Sequence, residues 1–249
     1  MSDQNAGAAP EKRPRLLCIA PAWNEGGRIG RVIKSIPAGM VDSILVVDDG
    51  STDDTPDRAE EAGAIVLRNQ VNRGVGAAIR SGIDYARDNG YDIVVVISGG
   101  GKTPPEYIPD LVRPILNGEA ELAQGSRYIH GGQFRRMPLS RRLGTRGYTF
   151  LFSLFVGKRV TDASSGFRAF NMALLNDRRI NLWQTWLDRY ELEPYLLFKA
   201  IRLRRKVIEV PVMIEYPESD GKGYTKMRVL VDWWKIFRPV LFLGLGIRR

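Results

Sequence analysis

The fold class is decided at residues 44–55, which read Ile-Leu-Val-Val-Asp-Asp-Gly-Ser-Thr-Asp-Asp-Thr. The four apolar, mostly β-branched residues predict a strand buried on both faces, as in parallel sheets. The run stops at Asp48 and Asp49, and we expect Ser51 or Thr52 to cap a following helix. Because open α/β sheets bind ligands at the carboxyl ends of their strands, the two aspartates are candidate site residues. A solvated turn with a helix cap is the alternative.

The composition is that of one large α/β domain with, at most, an appendage. The chain has 249 residues, of which 44% are hydrophobic, and strand and helix patterns alternate from residue 15 to about 120. The net charge of +9 favours an anionic partner: nucleic acid, an acidic membrane surface or a phosphorylated small molecule. The one cysteine, Cys18, rules out a disulfide framework and indicates a cytoplasmic protein.

The two ends of the chain differ from its middle. Residues 1–14 are polar and lack an apolar core, so they predict a disordered leader and not a signal peptide. Residues 228–249 form an amphipathic, basic C-terminal segment. An ordinary transmembrane helix is not expected, because no run of about 18 apolar residues occurs.

The predicted elements alternate in the first half of the chain and become irregular after residue 120. Strands are predicted at 15–20, ended by Pro21, and at 44–47, 64–68, 91–97, 121–127, within 164–171 and at 207–211. Helices are predicted from about 27 to 35 and at 55–62, 77–89, 107–116, 147–156 and 188–202.

Seven short motifs follow one another along the chain. They are Pro-Ala-Trp-Asn-Glu (21–25), Val-Val-Asp-Asp-Gly-Ser-Thr (46–52), Asn-Arg-Gly-Val-Gly-Ala-Ala (72–78), Gly-Ser-Arg-Tyr (125–128), Asp-Ala-Ser-Ser-Gly-Phe-Arg-Ala-Phe (162–170), Glu-Val-Pro-Val (209–212) and Gly-Tyr-Thr-Lys (223–226). In this order and spacing they resemble family 2 glycosyltransferases, and among these the dolichyl-phosphate (polyprenyl-phosphate) mannosyltransferase group. The resemblance covers residues 15–227. It implies a GT-A fold, a nucleotide-sugar donor and an inverting transfer to a lipid phosphate at the membrane surface.

The resemblance assigns the donor site to the first motifs. In such enzymes the Pro-x-x-Asn-Glu loop and the Asp-Asp turn hold the nucleoside, which here implies Pro21, Trp23, Glu25, Asp48 and Asp49. Carboxylates accept hydrogen bonds from base and ribose donors, and an indole offers a face for stacking. A core aromatic is the alternative for Trp23. The remaining donor residues expected from the resemblance are Arg73, Ser98, Gly99 and Gly100.

The chain departs from the family pattern after the fourth predicted strand. The family has Asp-x-Asp-Gly-Gln, which binds Mg²⁺ or Mn²⁺ on the donor diphosphate, whereas residues 98–102 read Ser-Gly-Gly-Gly-Lys. Pro105-Glu106 keeps the family register. A hard divalent cation needs oxygen ligands, and this loop offers only a hydroxyl and backbone carbonyls. We therefore predict no metal cofactor, with Mg²⁺ or Mn²⁺ as the alternative.

Lys102 is the predicted replacement for the ion. Its ammonium and the neighbouring glycine amides would neutralise the charge that develops on the leaving diphosphate. Two alternatives to this role stay open: a chain that has lost its donor chemistry, and a Gly-Gly-Gly-Lys segment that is merely a flexible turn.

Arg127, Arg141 and Thr145 match, at the family's spacing, the two arginines and the hydroxyl residue that hold the acceptor phosphate. Arginine suits this role because it pairs bidentately with phosphate oxygens. A phosphate is already anionic near pH 7, so attack on the anomeric carbon requires no general base, and His130 is assigned no catalytic role. The predicted catalytic residues are Lys102, Arg127 and Arg141.

The resemblance also implies a mobile loop that closes over the donor. Asp220 stands at the family's arginine position, so Lys222 or Lys226 is expected to make that contact. Two further pairs have alternatives. Asp162 and Arg168 shape the site or form a structural salt bridge, and Glu191 and Glu193 lie on a solvated helix face or a site wall.

Residues 143–156 and 233–247 combine aromatic and leucine faces with arginine and lysine, as do helices that lie in a membrane interface. Core packing or a dimer contact is the alternative. We expect peripheral association with the cytoplasmic face of the membrane, with a nucleotide-sugar donor and a polyprenyl-phosphate acceptor as ligands; homodimerisation stays open. A soluble acceptor and a non-catalytic binding protein are the rival functions. No nucleic-acid module is indicated.

Overall fold

A computed structural model describes residues 13–216 and 229–247. In this range the strands are β1 (Leu16–Ala22), β2 (Ser43–Asp48), β3 (Ile65–Arg68), β4 (Ile93–Val96), β5 (Leu122–Ser126), β6 (Gln133–Arg135), β7 (Arg168–Asn171), β8 (Val207–Pro211) and β9 (Met213–Glu215). The α-helices are α1 (Gly26–Lys34), α2 (Thr55–Glu61), α3 (Val75–Asp88), α4 (Ile108–Leu116), α5 (Leu139–Val156), α6 (Leu192–Arg202) and α7 (Val229–Gly244). Short 3₁₀ turns occupy Pro105–Tyr107, Met172–Asn176 and Thr185–Leu187.

The strands form a seven-stranded sheet in the order β3-β2-β1-β4-β7-β5-β8. Strand β7 runs antiparallel to β4 and β5, and the other neighbours are parallel. A separate parallel pair joins β6 to β9. Because most strands are parallel, the carboxyl ends of β1, β2, β4 and β5 meet at one edge of the sheet. The predicted α/β class is confirmed.

The sheet separates two hydrophobic layers. Alternate residues of β1 point to opposite faces, as the twofold repeat of a strand requires: Leu17 and Ile19 pack with α3 and α6, and Leu16 and Cys18 pack with α1 and α4. All four side chains are at most 4% exposed. Burying a leucine or isoleucine side chain in this way stabilises the folded state by roughly 1.5–3 kcal/mol relative to leaving it in water. Strand β1 is therefore hydrophobic on both faces.

Strand β1 continues through Pro21, although the sequence predicts that proline to end it. Pro21 and Ala22 stay in register with Val47 and Asp48 of β2. The register with β4 ends at Ile19–Val96, so the missing N–H of Pro21 interrupts no ladder on that side. The carbonyl of Pro21 accepts a hydrogen bond from the N–H of Gly99 at 3.3 Å.

One predicted helix cap and the starts of two helices, α5 and α6, also differ from the prediction. Asp54 precedes α2, with no side-chain cap, so the expected capping by Ser51 or Thr52 is wrong. Helix α5 begins at Leu139, eight residues before the predicted start, and α6 begins at Leu192 and not at residue 188. Residues 188–191 are instead a turn, which follows the 3₁₀ turn at Thr185–Leu187.

The C-terminal helix packs onto the main domain. Phe237 of α7 meets Tyr148 of α5 edge to face, with ring centroids 5.2 Å apart. Arg238 donates to Glu191 at 2.7 Å. The predicted leader, up to residue 12, and the loop lysines Lys222 and Lys226 lie outside the described residues. None of the helices in the described part of the chain is long and apolar enough to cross a membrane.

Candidate active site

A cleft of about 1230 Å³ opens at the carboxyl ends of the strands. This is enough room for a ligand of nucleotide-sugar size. The predicted site residues that line it are Pro21, Trp23, Glu25, Asp49, Ser98, Gly100, Lys102, Arg127, Arg141 and Thr145. Of the predicted donor residues, Asp48, Arg73 and Gly99 are not in its lining.

The cleft is basic. Among the described residues, six cationic side chains and three carboxylates line it. The cations are Arg28, Lys102, Arg127, Arg141, Arg168 and Arg189, and the carboxylates are Glu25, Asp49 and Glu193. A cleft with an excess of one charge raises the local concentration of ligands of the opposite charge. The arrangement therefore suits an anionic ligand.

The Asp-Asp turn is held by its own carboxylates. Asp49 accepts from the backbone N–H of Gly74 at 2.7 Å and of Arg73 at 3.0 Å, and from the Asn69 amide at 2.9 Å. Asp48 is fully buried and accepts from the N–H of Ser51 at 3.1 Å. Both aspartates thus shape loops at the cleft edge. Their contact with a nucleoside, and that of Arg73, stays a prediction.

A glycine is required within that turn. Gly50 has φ +73°, and a Cβ on it would lie 2.7 Å from the carbonyl carbon of Val71. Any side chain would therefore clash with the backbone of the loop that Asp49 holds.

The two predicted nucleoside motifs are tied to each other. The N–H of Asn24 donates to Ser51 Oγ at 2.8 Å, and the N–H of Glu25 donates to Thr55 Oγ1 at 2.8 Å. Ser51 thus supports this loop and does not cap a helix. Trp23 is 40% exposed and faces the cleft, so the core-aromatic alternative for it is wrong.

The residues after β4 do not fit a divalent cation. Ser98 and Gly100 stand at the two carboxylate positions of the family motif, and neither offers a charged oxygen. A Cβ on Gly100 would lie 3.1 Å from Glu25 Oε1, so that glycine packs directly against a carboxylate. Within residues 13–216 and 229–247, no group of three or more His, Cys, Asp or Glu side chains could hold a metal ion. That the chain works without a metal stays a prediction.

Arg127 is held in the cleft wall by Asp162. The two side chains are 4% and 0% exposed, and Asp162 accepts from Arg127 Nε at 2.6 Å and Nη2 at 2.7 Å. Burial alone lowers the pKa of Arg127, but the charge of Asp162 outweighs it, and the pKa lies above its usual value. The predicted salt bridge between Asp162 and Arg168 is therefore wrong, because Asp162 pairs with Arg127 and Arg168 donates to backbone carbonyls.

The three predicted acceptor residues surround two tyrosines. Arg127 Nη1 donates to Tyr216 Oη at 2.5 Å, and the Arg141 guanidinium lies 5.1 Å from the centre of the Tyr216 ring. Thr145 Oγ1 lies 2.7 Å from Tyr128 Oη. The structure therefore brings Arg127, Arg141 and Thr145 to one side of the cleft. Their binding of a phosphate stays a prediction.

The prediction of a solvated face for Glu191 and Glu193 is wrong. Glu191 is 2% exposed and pairs with Arg238, while Glu193 lines the cleft as a site wall. Burial raises the pKa of Glu193, although the positive charge of Arg168 acts to lower it. Arg168 donates to the carbonyl of Glu193 at 2.6 Å. Burial also lowers the pKa of Arg168.

Sequence reasoning missed Arg28 and Tyr216 as cleft residues. Arg28 lies in the first turn of α1, three residues after Glu25, so its closeness to the Asn-Glu motif was a usable signal. Tyr216 follows β9, and it meets Arg127 from 89 residues away. No local pattern reveals that contact.

The fold is an α/β sheet with a basic cleft at the carboxyl ends of its parallel strands. The sequence model described as glycosyl transferase family 2 matches residues 18–179. The chain therefore belongs to glycosyl transferase family 2, and it is a glycosyltransferase. The predicted family is confirmed.

Two relatives match along most of their length. The UDP-N-acetylglucosamine–dolichyl-phosphate N-acetylglucosaminyltransferase of Methanococcus voltae is 31% identical over 248 residues, which cover 93% of this chain and 96% of that protein. The polyprenol monophosphomannose synthase of Mycolicibacterium smegmatis is 32% identical over 238 residues, covering 90% and 86%. The first name contains dolichyl phosphate, and the second contains polyprenol monophosphomannose.

The solved structures agree on the fold. Glucosyl-3-phosphoglycerate synthase from Mycobacterium tuberculosis superposes with a TM-score of 0.69 at 26% identity, covering 95% of this chain and 82% of that one. This confirms the predicted GT-A fold. Another structure of that enzyme, 24% identical and with a TM-score of 0.69, contains Mn²⁺ and uridine diphosphate.

Proposed function

We propose that this glycosyltransferase moves one sugar from a nucleoside-diphospho-sugar to a polyprenyl phosphate at a membrane surface, without a divalent metal. The observation that carries the proposal is the basic cleft. Its 98–102 loop ends in Lys102 and has neither of the two carboxylates of the family motif. The names of the two relatives support the lipid-phosphate acceptor. They differ in the sugar they name, so the sugar is left open.

In the proposed reaction, an oxygen of the acceptor phosphate attacks the anomeric carbon of the donor sugar. The bond from that carbon to the diphosphate breaks, and the nucleoside diphosphate leaves with the electron pair. The products are the nucleoside diphosphate and a lipid-phosphate-linked sugar of inverted configuration. Lys102 stabilises the charge on the leaving group, as a preorganised cation does at a developing anion. Arg141 and Thr145 orient the acceptor phosphate.

The outer face of α5 supports the membrane part of the proposal. Leu139, Leu143, Phe150 and Leu154 lie along one stripe of the helix and are 63–70% exposed. Arginines flank the stripe, and Arg146 lies over the Tyr128 ring at 5.2 Å. An apolar stripe bordered by cations is typical of helices that lie in the interface of an anionic membrane. Phe150 also lines the cleft, so this stripe continues into the site.

The decisive experiment measures turnover in excess EDTA. Purified protein is given a short-chain polyprenyl phosphate and a panel of GDP- and UDP-sugars, and Lys102→Ala is compared with Lys34→Ala, an exposed lysine of α1 outside the cleft lining. We expect the unchanged chain and Lys34→Ala to be active. Lys102→Ala should lose about 10²-fold or more in rate, the typical effect of removing one oxyanion-stabilising group.

Three results would contradict the proposal. Turnover abolished by EDTA and restored by Mn²⁺ would show a metal at ligands outside the 98–102 loop. Nucleotide binding without turnover on any donor would favour the non-catalytic alternative. Equal turnover on water-soluble phosphates would favour the soluble acceptor.

A flotation assay tests the membrane surface separately. Phe150→Ser with Leu154→Ser should reduce binding to vesicles that contain anionic lipid. Leu116→Ser, which removes a 48% exposed leucine from α4 on the opposite face of the sheet, should not. Unchanged flotation of the α5 variant would rule out this stripe as the contact.

A further inference from the structure

Arg28 lines the cleft beside the loop that replaces the metal motif. It lies in the first turn of α1, and its Nη1 donates to Glu25 Oε2 at 2.9 Å. The Arg28 side chain is 45% exposed, whereas that of Glu25 is 16% exposed. Glu25, Gly100 and Lys102 line the same cleft. Arg28 is therefore partly exposed in the cleft lining and pairs with a carboxylate that is more buried than itself.

Glu25 connects Arg28 to the loop. The backbone of Gly100 approaches the Glu25 carboxylate so closely that a Cβ there would lie 3.1 Å from Oε1 and 3.3 Å from Oε2. Arg28 binds Oε2 of that same carboxylate. The Glu25 carboxylate thus lies between the Arg28 guanidinium and Gly100, the position at which the family carries its second aspartate.

The charges at this place differ from those of a metal site in two ways. Two carboxylates are replaced by the neutral Ser98 and Gly100, and two cations, Lys102 and Arg28, line the cleft there. A divalent ion supplies two positive charges to a diphosphate, and Lys102 alone supplies one. A second cation beside the loop would add to the positive charge that a bound diphosphate meets.

We infer that Arg28 is that second cation and that it binds the donor diphosphate together with Lys102. The inference rests on the proposed metal-independent use of a nucleotide-sugar donor. A guanidinium suits the role because it presents a planar set of donors that match two phosphate oxygens at once. Glu25 orients the guanidinium before the donor binds. Because the pair is partly exposed, shifting it toward a phosphate costs little.

The test is binding of UDP and UMP, and of GDP and GMP, by isothermal titration in excess EDTA. Each pair shares its nucleoside, so the ratio of the two affinities reports on the second phosphate alone. Arg28→Gln should weaken diphosphate binding about tenfold and monophosphate binding by less than threefold, which is the scale of one charge-assisted hydrogen bond. Arg28→Lys should retain most of the ratio.

Two control variants separate the causes. Arg31→Gln removes the same charge from the same helix at an exposed position outside the cleft lining, and the ratio should not change. Glu25→Gln combined with Arg28→Gln removes both partners. If the ratio recovers in this double variant, Arg28 acts only by masking Glu25, and the inference is overturned.

Two further outcomes also overturn it: an unchanged ratio in Arg28→Gln, and no EDTA-resistant diphosphate binding by the unchanged chain. Circular dichroism of each variant excludes misfolding as the cause of a loss. The measurement uses neither an acceptor nor turnover. A failure of the proposed lipid-phosphate transfer is therefore distinguishable from a failure of this inference.

Discussion

An Asp162→Asn substitution removes the charge that holds Arg127 in the cleft wall. Asp162 is fully buried and accepts from Arg127 Nε at 2.6 Å, from Nη2 at 2.7 Å and from the Arg127 N–H at 3.1 Å. Asparagine keeps the shape, but one carboxylate oxygen becomes an NH₂ group, which faces an N–H donor of Arg127 and cannot accept from it. The Arg127 guanidinium then remains buried without a counter-charge.

The expected loss of stability is large. Removing one partner of a buried, hydrogen-bonded ion pair typically costs about 3–5 kcal/mol. At an m-value near 3 kcal/mol/M, the unfolding midpoint should fall by about 1 to 1.7 M urea. The five tryptophans of the chain provide the fluorescence signal. Asp110→Asn is the matched control, because its partner Arg113 lies at 2.9 Å but the two side chains are 48% and 66% exposed.

The exposed control pair should contribute less than about 1 kcal/mol. A similar small loss for Asp162→Asn would refute the reasoning. It would mean that Arg127 does not depend on Asp162 and that its guanidinium is available to bind a phosphate directly. A large loss would make Arg127 a residue whose position is fixed before the acceptor arrives, with Tyr216 on one of its nitrogens.

Three further predictions concern the cleft. Tyr216→Phe removes the hydroxyl that accepts from Arg127 and keeps the ring beside Arg141, so steady-state kinetics should show about a five- to tenfold higher KM for the acceptor and an unchanged KM for the donor; equal changes in both would contradict this. Because burial raises the pKa of Glu193 in the folded chain, that group destabilises the fold as pH rises above the usual carboxyl range, and Glu193→Gln should remove this part of the pH dependence of Tm; parallel Tm profiles would count against it. Ser98→Asp with Gly100→Asp adds carboxylates beside Glu25, so diphosphate binding should weaken in EDTA and recover with Mn²⁺ in calorimetry; Mn²⁺-independent binding of full strength would speak against the electrostatic argument.

The strands were predictable because their signals are local. Strand β8 has the predicted bounds of 207 and 211, and β2 and β3 begin within one residue of their predicted starts. The buried part of β2 is a continuous apolar run, which is visible without knowledge of its neighbours. Strands β3 and β8 lie at the sheet edges and are only partly buried, but they too carry short runs of β-branched residues. The carboxyl end of each run then indicates where the cleft lies.

The first two turns of α5 were not predictable in the same way. Residues 139–146 contain three arginines and two exposed leucines, which read as a basic loop. The fold stabilises them as a helix through contacts that come from other elements. Arg142 lies over the Phe134 ring at 5.1 Å, and Thr145 meets Tyr128. Such partners cannot be read from the segment itself.

The role of Arg127 shows the same limit within the site. The sequence shows in Arg127, Arg141 and Thr145 the residue types that suit an acceptor phosphate. The partner of Arg127 was not visible, because Asp162 is 35 residues away in the sequence. Arg168 is nearer to Asp162 in the sequence and was therefore the expected partner of Asp162. Residue identity indicates which chemistry is available at a site. The pairing of charges, which decides whether a guanidinium is held or free to bind, follows only from the packed structure.

Glu25 explains why the two cations at the donor site belong together. Its carboxylate faces Gly100 and would repel a diphosphate that approached the 98–102 loop. In a metal site, an ion would offset that charge. Here Arg28, which also lines the cleft, donates to that carboxylate at 2.9 Å. Replacing Arg28 therefore has two costs at the diphosphate, a lost cation and an exposed anion. For this reason the double change at Glu25 and Arg28, more than any single substitution, distinguishes a direct phosphate contact from simple charge masking.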